Sequence, residues 1–220
     1  MTKNKPKNNY AANPDKVIQM DVCQTPPHAL EPLYEHLDRM KYKVIWESAA
    51  GPEQLLTNAL DAKGYLTWSS DLLYGAAFNR FSYKPAYYQI EITNVPFSIA
   101  HLWIKKAFED GKPFAFLMPY EKTIRADIKA LFRAYHKQPW AVEVLSPERR
   151  INFKMPNMGW GITVFDEKKG KMVKKGESAQ MPTVWVTWGL EIWKTRDSLF
   201  YTYDVPMRKA RYDAHNKEIE

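Results

Sequence analysis

The stretch KVIWESAAGPEQLLTNALDAKGYLTWSSD, residues 43–71, decides the reading of the fold. Lys43-Val44-Ile45-Trp46 is a short apolar run that stops at Glu47-Ser48-Ala49-Ala50-Gly51. From Pro52 onward Leu55, Leu56, Ala59 and Leu60 recur at helical spacing, and Gly64 supplies the stop. Tyr65-Leu66-Thr67-Trp68 then reads as a second strand, with Asp71 just beyond its carboxyl end. Strand, glycine turn, helix, strand is the shape of a nucleotide-binding β-α-β unit. Gly51 lacks a Cβ and so permits close approach. Asp71, 24 residues after Glu47, stands where an acidic group accepts hydrogen bonds from ribose hydroxyls.

Upstream, Thr25-Pro26-Pro27 opens a helix over residues 27–40 whose apolar face is Ala29, Leu30, Leu33 and Leu37, with Thr25 suited to capping. Downstream, residues 88–93 read as a strand ending at Asn94-Val95-Pro96-Phe97-Ser98, and Ile99, Trp103, Ile104 and Phe108 line a helix that Gly111 ends. Residues 113–118 are almost wholly apolar, as a central parallel strand covered on both faces must be. A helix over residues 121–137 puts Ile124, Ile128, Leu131 and Tyr135 on one face and Arg125, Lys129, Arg133 and Lys137 on another. Residues 141–145, 150–153, 161–165 and 183–189 alternate as strands, and the lysines at 168–175 mark an exposed loop between them. This order predicts an α/β fold with a Rossmann-like, doubly wound, mostly parallel sheet and an antiparallel C-terminal strand.

At 220 residues and 45% hydrophobic content the chain suits one domain, over residues 15–205, with a flexible basic arm at 1–14 and a charged tail at 206–220. The single cysteine, Cys23, excludes an internal disulfide, and five scattered histidines argue against a structural metal. Neither a membrane-length apolar run nor a signal core is present, which points to the cytoplasm. Net charge +7 favours a polyanionic partner. Trp160, Trp185, Trp188 and Trp193 are expected in the core.

Taken in order, Thr25-Pro26-Pro27, Trp46-Glu47-Ser48-Ala49-Ala50-Gly51, Asp71 and Asn94-Val95-Pro96-Phe97-Ser98 resemble the motifs of amino-methyltransferases, and in particular those of phage-encoded DNA N6-adenine methylases. Residues 146–153 and 182–185 look like a late segment of the same family. The resemblance implies a class I methyltransferase fold, S-adenosylmethionine as cofactor, DNA as substrate and a cytoplasmic location, that of the host for a phage-encoded chain. It assigns Thr25, Glu47, Ala49, Gly51 and Asp71 to the cofactor: Glu47 toward the methionine amine, Asp71 toward the ribose and Thr25 near the carboxylate.

The exocyclic amine of adenine is a poor nucleophile, because its lone pair is delocalised into the ring. By the resemblance, the side-chain oxygen of Asn94 and the carbonyl of Val95 draw it toward tetrahedral geometry, Pro96 shapes the turn, and Phe97 stacks on a flipped base for about 1–3 kcal/mol. The chain departs from the family in two places. Val95 replaces the first proline of the motif, and Ser48 stands where a proline commonly follows the acid.

Arg125, Lys129 and Arg133, with Lys168, Lys169 and Lys171, are the candidate nucleic-acid contacts, although such rows also serve as solvated faces. RNA or a protein glutamine amide is a lesser alternative acceptor. A second reading keeps the fold and the binding but not efficient catalysis. Methylation at carbon 5 of cytosine is excluded, since Val22-Cys23-Gln24 is not the Pro-Cys turn it needs.

Overall fold

The computed structural model describes residues 23–75, 79–136, 139–147, 149–153, 162–167, 169–175, 182–194 and 201–202. The proposed arm and tail, Lys137, Trp160 and Lys168 lie outside them.

A 3-10 turn at Pro27–Leu30 leads into helix α1 (Glu31–Arg39), so the expected single helix has two pitches. Pro26 occupies the cap and no side chain bonds into the turn, leaving Thr25 buried but without the capping role. Strand β1 (Val44–Glu47), helix α2 (Leu55–Ala62) and strand β2 (Leu66–Ser69) follow. The helix starts three residues later than Pro52 suggested, because Gln54 takes the left-handed conformation at φ 49°. Strand β3 (Ile90–Asn94), helix α3 (Ala100–Asp110) and strand β4 (Phe114–Pro119) complete the parallel part.

The helix expected over residues 121–137 is broken into α4 (Tyr120–Thr123) and α5 (Ala126–Tyr135), with Arg125 extended between them at ψ 145°. Arg125 is therefore a cap residue and does not continue the row of Lys129 and Arg133. Ile124 turns outward, and Phe132 takes the buried place beside Ile128. Strand β5 (Val142–Leu145) is next, followed by β6 (Ile162–Asp166), close to the strand expected over 161–165, and by β7 (Lys171–Lys175), which pairs with it as a hairpin where a lysine loop was expected. Residues 150–153 form no strand, although Ile151 and Phe153 are buried. Strands β8 (Thr183–Trp188) and β9 (Tyr201–Thr202) end the described chain.

The main sheet runs β2-β1-β3-β4-β8-β5-β9. Strands β1 to β4 are mutually parallel, and β8 lies antiparallel between β4 and β5. The expected mostly parallel sheet is present, and the reversed strand expected over 183–189, β8, is internal, while β9 takes the edge antiparallel to β5. Alternation along β4 divides the core: Ala115 and Leu117 face α1 and α2, while Phe114, Phe116 and Met118 face α3 and α5. Burying each such large side chain is worth about 1.5–3 kcal/mol. Trp185 and Trp188 are buried as expected, and each indole N–H is satisfied, by the carbonyls of Ala29 at 2.8 Å and Trp140 at 2.7 Å. Parallel strands point their carboxyl ends to one edge, which is where ligands gather in open α/β sheets. No helix among the described residues is long and apolar enough to cross a membrane.

Candidate functional site

A cavity of about 210 Å³ opens at that edge. Thr25, Glu47, Ala49, Gly51 and Asp71 line it together with Asn94 and Pro96. The expected cofactor residues and the first residue of the expected catalytic turn are therefore neighbours in space, although 69 positions separate Thr25 from Asn94.

Glu47 ends β1 and is buried, with the Thr57 hydroxyl of α2 donating to its carboxylate. Burial pushes its pKa from 4.5 up to about 7, partly offset by the Thr57 hydrogen bonds. A carboxyl in that range loses its proton readily once a cation approaches. The following turn is held by backbone donors: Ala49 N–H donates to Thr93 Oγ1 at 3.1 Å, Ala50 N–H to the Ser70 carbonyl at 3.1 Å, and Gly51 N–H to Asp71 Oδ2 at 2.8 Å. Gly51 sits at φ 67°, and a Cβ there would fall 2.3 Å from Nε2 of Gln24. The close approach read from this glycine is thus made, in the protein itself, by the Gln24 amide.

Asp71 both closes that turn and caps the 3-10 turn at Leu72–Tyr74, accepting from Leu73 N–H at 2.8 Å through Oδ1. Each oxygen is engaged once and retains a lone pair for a hydroxyl donor. Tyr74 donates its phenolic hydroxyl to the Gly51 carbonyl at 2.7 Å, tying the two loops together. Leu72 and Leu73 form an exposed apolar lip on the cavity beside the carboxylate.

On the other side, β3 delivers Asn94. Its Oδ1 is buried and has no hydrogen-bond partner among the described residues. An orphaned amide oxygen in a cavity wall is costly unless a donor meets it, at about 1–3 kcal/mol. Val95 does not line the cavity. Its side chain is buried with Trp103 and Phe116, and its N–H donates to the Leu117 carbonyl at 3.2 Å. Proline in this place could not make that bond. Burial and strand pairing therefore restrain residue 95 in place of a ring. Pro96 lines the cavity and begins the 3-10 turn at Phe97–Ile99. Phe97 is half-buried, lies outside the lining, and meets Phe153 edge-to-face at 6.1 Å.

The sequence reading passed over the residues that anchor the remaining wall. Arg80, only 1% exposed, holds both oxygens of Glu91 at 2.6 and 2.8 Å and Asp110 Oδ2 at 2.8 Å, with its guanidinium 4.7 Å from the Trp46 ring centre. Ser48 donates to Glu91 at 2.5 Å, so the serine that replaces a proline belongs to this network. Asn79 and Phe81, flanking Arg80, line the cavity, and Phe81 meets Trp103 edge-to-face at 5.4 Å. The available signal was Glu91 itself. A charge between Ile90 and Ile92 in a buried strand requires a buried partner.

The basic candidates are not gathered here. Arg125 is paired with Asp127 at 2.9 Å, Lys129 is half-buried and Arg133 is exposed on α5, while Lys169 and Lys171 are exposed on the β6–β7 hairpin. None of them lines the cavity.

No protein-family model matches the chain, and no curated protein matches it in sequence. Among solved structures it is similar to a Listeria monocytogenes protein provisionally assigned as a class I S-adenosylmethionine-dependent methyltransferase, with TM-score 0.46 and 15% identity over 77% of this chain. The chain spans 61% of that protein's length.

Proposed function

We propose that the protein transfers a methyl group from S-adenosylmethionine to the exocyclic N6 amine of adenine in DNA. The observation that carries this reading is the orphaned Oδ1 of Asn94 in the same cavity as Glu47, Gly51 and Asp71.

The residues present suit the cofactor. Glu47, buried and poised near neutrality, is stabilised by an ammonium group. Asp71 has lone pairs left for ribose hydroxyls, and the apolar lip of Leu72 and Leu73, with Phe81 in the wall, suits a purine ring. Thr25 and the start of the following turn serve the carboxylate. When bound, the cofactor supplies an electrophilic methyl on a sulfonium. Asn94 Oδ1 and the Val95 carbonyl accept the two amine hydrogens and so localise the nitrogen lone pair. The nitrogen would take the methyl as the sulfur–methyl bond breaks, with that electron pair left on sulfur as a neutral thioether, and would release one proton to water. Phe97, Arg125, Lys129, Arg133, Lys168, Lys169 and Lys171 belong to this proposal as target and backbone contacts.

A second reading, cofactor or nucleic-acid binding without efficient transfer, is favoured by one observation: both Asp71 oxygens already accept backbone hydrogen bonds. Incubation with methyl-labelled S-adenosylmethionine and unmethylated DNA separates the two. Label is expected on adenine, reduced on the order of 100-fold or more in Asn94→Ala, as for loss of one preorganised polar contact. Cofactor binding without transfer to DNA, RNA or protein establishes the second reading instead.

A further inference from the structure

The hairpin of β6 and β7 stands apart from the main sheet as its own two-stranded sheet. Isolated hairpins are marginal in water, so one that presents apolar surface gains stability from whatever covers it. Phe165 and Met172 are direct cross-strand partners, and they are 60% and 58% exposed. Between residues 162 and 175 the sequence places five lysines against two acids, Asp166 and Glu167. Asp166 lies opposite Lys171, next to the Phe165–Met172 pair, and Lys169 follows at the turn, where its backbone N–H donates to the Asp166 carbonyl at 3.1 Å and to Oδ1 at 3.2 Å while its ammonium keeps a loose contact of 3.8 Å with Oδ2.

The geometry points to the hairpin as a DNA-engaging wedge, with Phe165 and Met172 pressed against or between base steps while Lys169 and Lys171 meet the flanking phosphates. The inference rests on the DNA reading above and adds to it the element that opens the duplex. Charge selects a polyanion, because lysines exchange condensed counterions for protein contacts. Charge alone does not account for a bulky apolar pair among those lysines. Side chains of that kind occur where a protein unstacks a base step to bend or open nucleic acid. A two-stranded ribbon also fits a groove about 12 Å wide. The position is useful for chemistry on a base, since the target has to leave the stack before it can reach a pocket.

The test uses the full chain and a duplex of about 30 base pairs carrying 2-aminopurine beside an adenine. Binding of the wild-type protein is expected to raise 2-aminopurine fluorescence through local unstacking. The variant F165T/M172T keeps β-compatible side chains. It is expected to lose that signal and to bind about tenfold more weakly, with an unchanged thermal midpoint and an unchanged dependence of affinity on salt. K169A/K171A is expected to lower the log–log salt slope by about 2, one phosphate contact each. If F165T/M172T binds with wild-type affinity and wild-type fluorescence, the wedge is wrong and the DNA reading stands. If the wild-type chain binds no duplex at any salt concentration, both fall together.

Discussion

Replacing Glu47 with glutamine is expected to strengthen the fold at alkaline pH while weakening cofactor binding. The carboxyl is buried, and its pKa lies at about 7 against an ordinary 4.5. The folded state therefore holds its proton more tightly than the unfolded state does. Between these two values the unfolded chain has lost the proton and the folded chain has not, so stability falls as pH rises through the window and levels off above 7. Each pKa unit is worth about 1.4 kcal/mol, and the gap from 4.5 to about 7 sets the total at about 3–4 kcal/mol. Glutamine reproduces the neutral acid and its acceptor oxygen for Thr57, and it does not ionise. Urea unfolding of both proteins at pH 5, 6, 7 and 8 should show Glu47→Gln gaining on the wild type progressively, by up to about 3 kcal/mol at pH 8. Other titrating groups cancel in that difference. Over the same range the wild-type chain should bind S-adenosylmethionine more tightly as Glu47 ionises, and the variant should show no such gain from residue 47. A stability difference that stays flat from pH 5 to 8, or a variant less stable than wild type at pH 8, refutes the account of Glu47 as a strained acid awaiting a cation.

Two further substitutions probe the walls of the cavity. Arg80→Met leaves the Glu91 and Asp110 carboxylates without their shared guanidinium and should cost about 3–5 kcal/mol in urea unfolding. Arg80→Met with Glu91→Leu should recover part of that loss, and equal stabilities for single and double variants would show that the pair is not coupled. Val95→Pro restores the residue expected from the methylase resemblance but deletes the N–H that reaches Leu117. It should lower stability by about 1–3 kcal/mol, measured by thermal or urea unfolding, whereas an undiminished midpoint would show that the strand bond contributes nothing.

The β-α-β unit was readable because its signals are local. An apolar run of strand length, a glycine turn and a helical period each lie within a few residues of one another, and Glu47, Gly51, Asp71, Asn94 and Pro96 then fall at strand ends that the parallel sheet brings to one edge. The break at Arg125 was hidden because the apolar spacing of Ile124, Ile128 and Leu131 runs through it unchanged, while the backbone there is extended. Lys171–Lys175 was read as a loop because lysine masks alternation, and its pairing depends on Ile162–Asp166 across the turn. Ile151 and Phe153 misled in the opposite sense: two apolar residues with the right spacing are buried without any strand to join. Arg80 lies in a stretch with no period at all, and its partners are 11 and 30 positions away. Glu91 between two buried isoleucines announces that a buried partner exists, but nothing in its segment says which residue that is, so the pairing with Arg80 emerges only in three dimensions.

The reversed strand β8 also governs the order in which the molecule can be assembled. It fills the gap between β4 and β5, pairing with both along Thr183–Trp188. A ribosome that has not yet released residue 188 holds a chain whose central strand β4, buried along its whole length in the finished protein, has no neighbour on one side. The last piece of the interior is thus made late, and two unpaired inner edges wait for it, open to pairing with other chains. Closure across so long a stretch of sequence favours slow folding. Truncations that remove β8 are expected to aggregate, while those that remove only residues beyond 202 spare every strand pairing described.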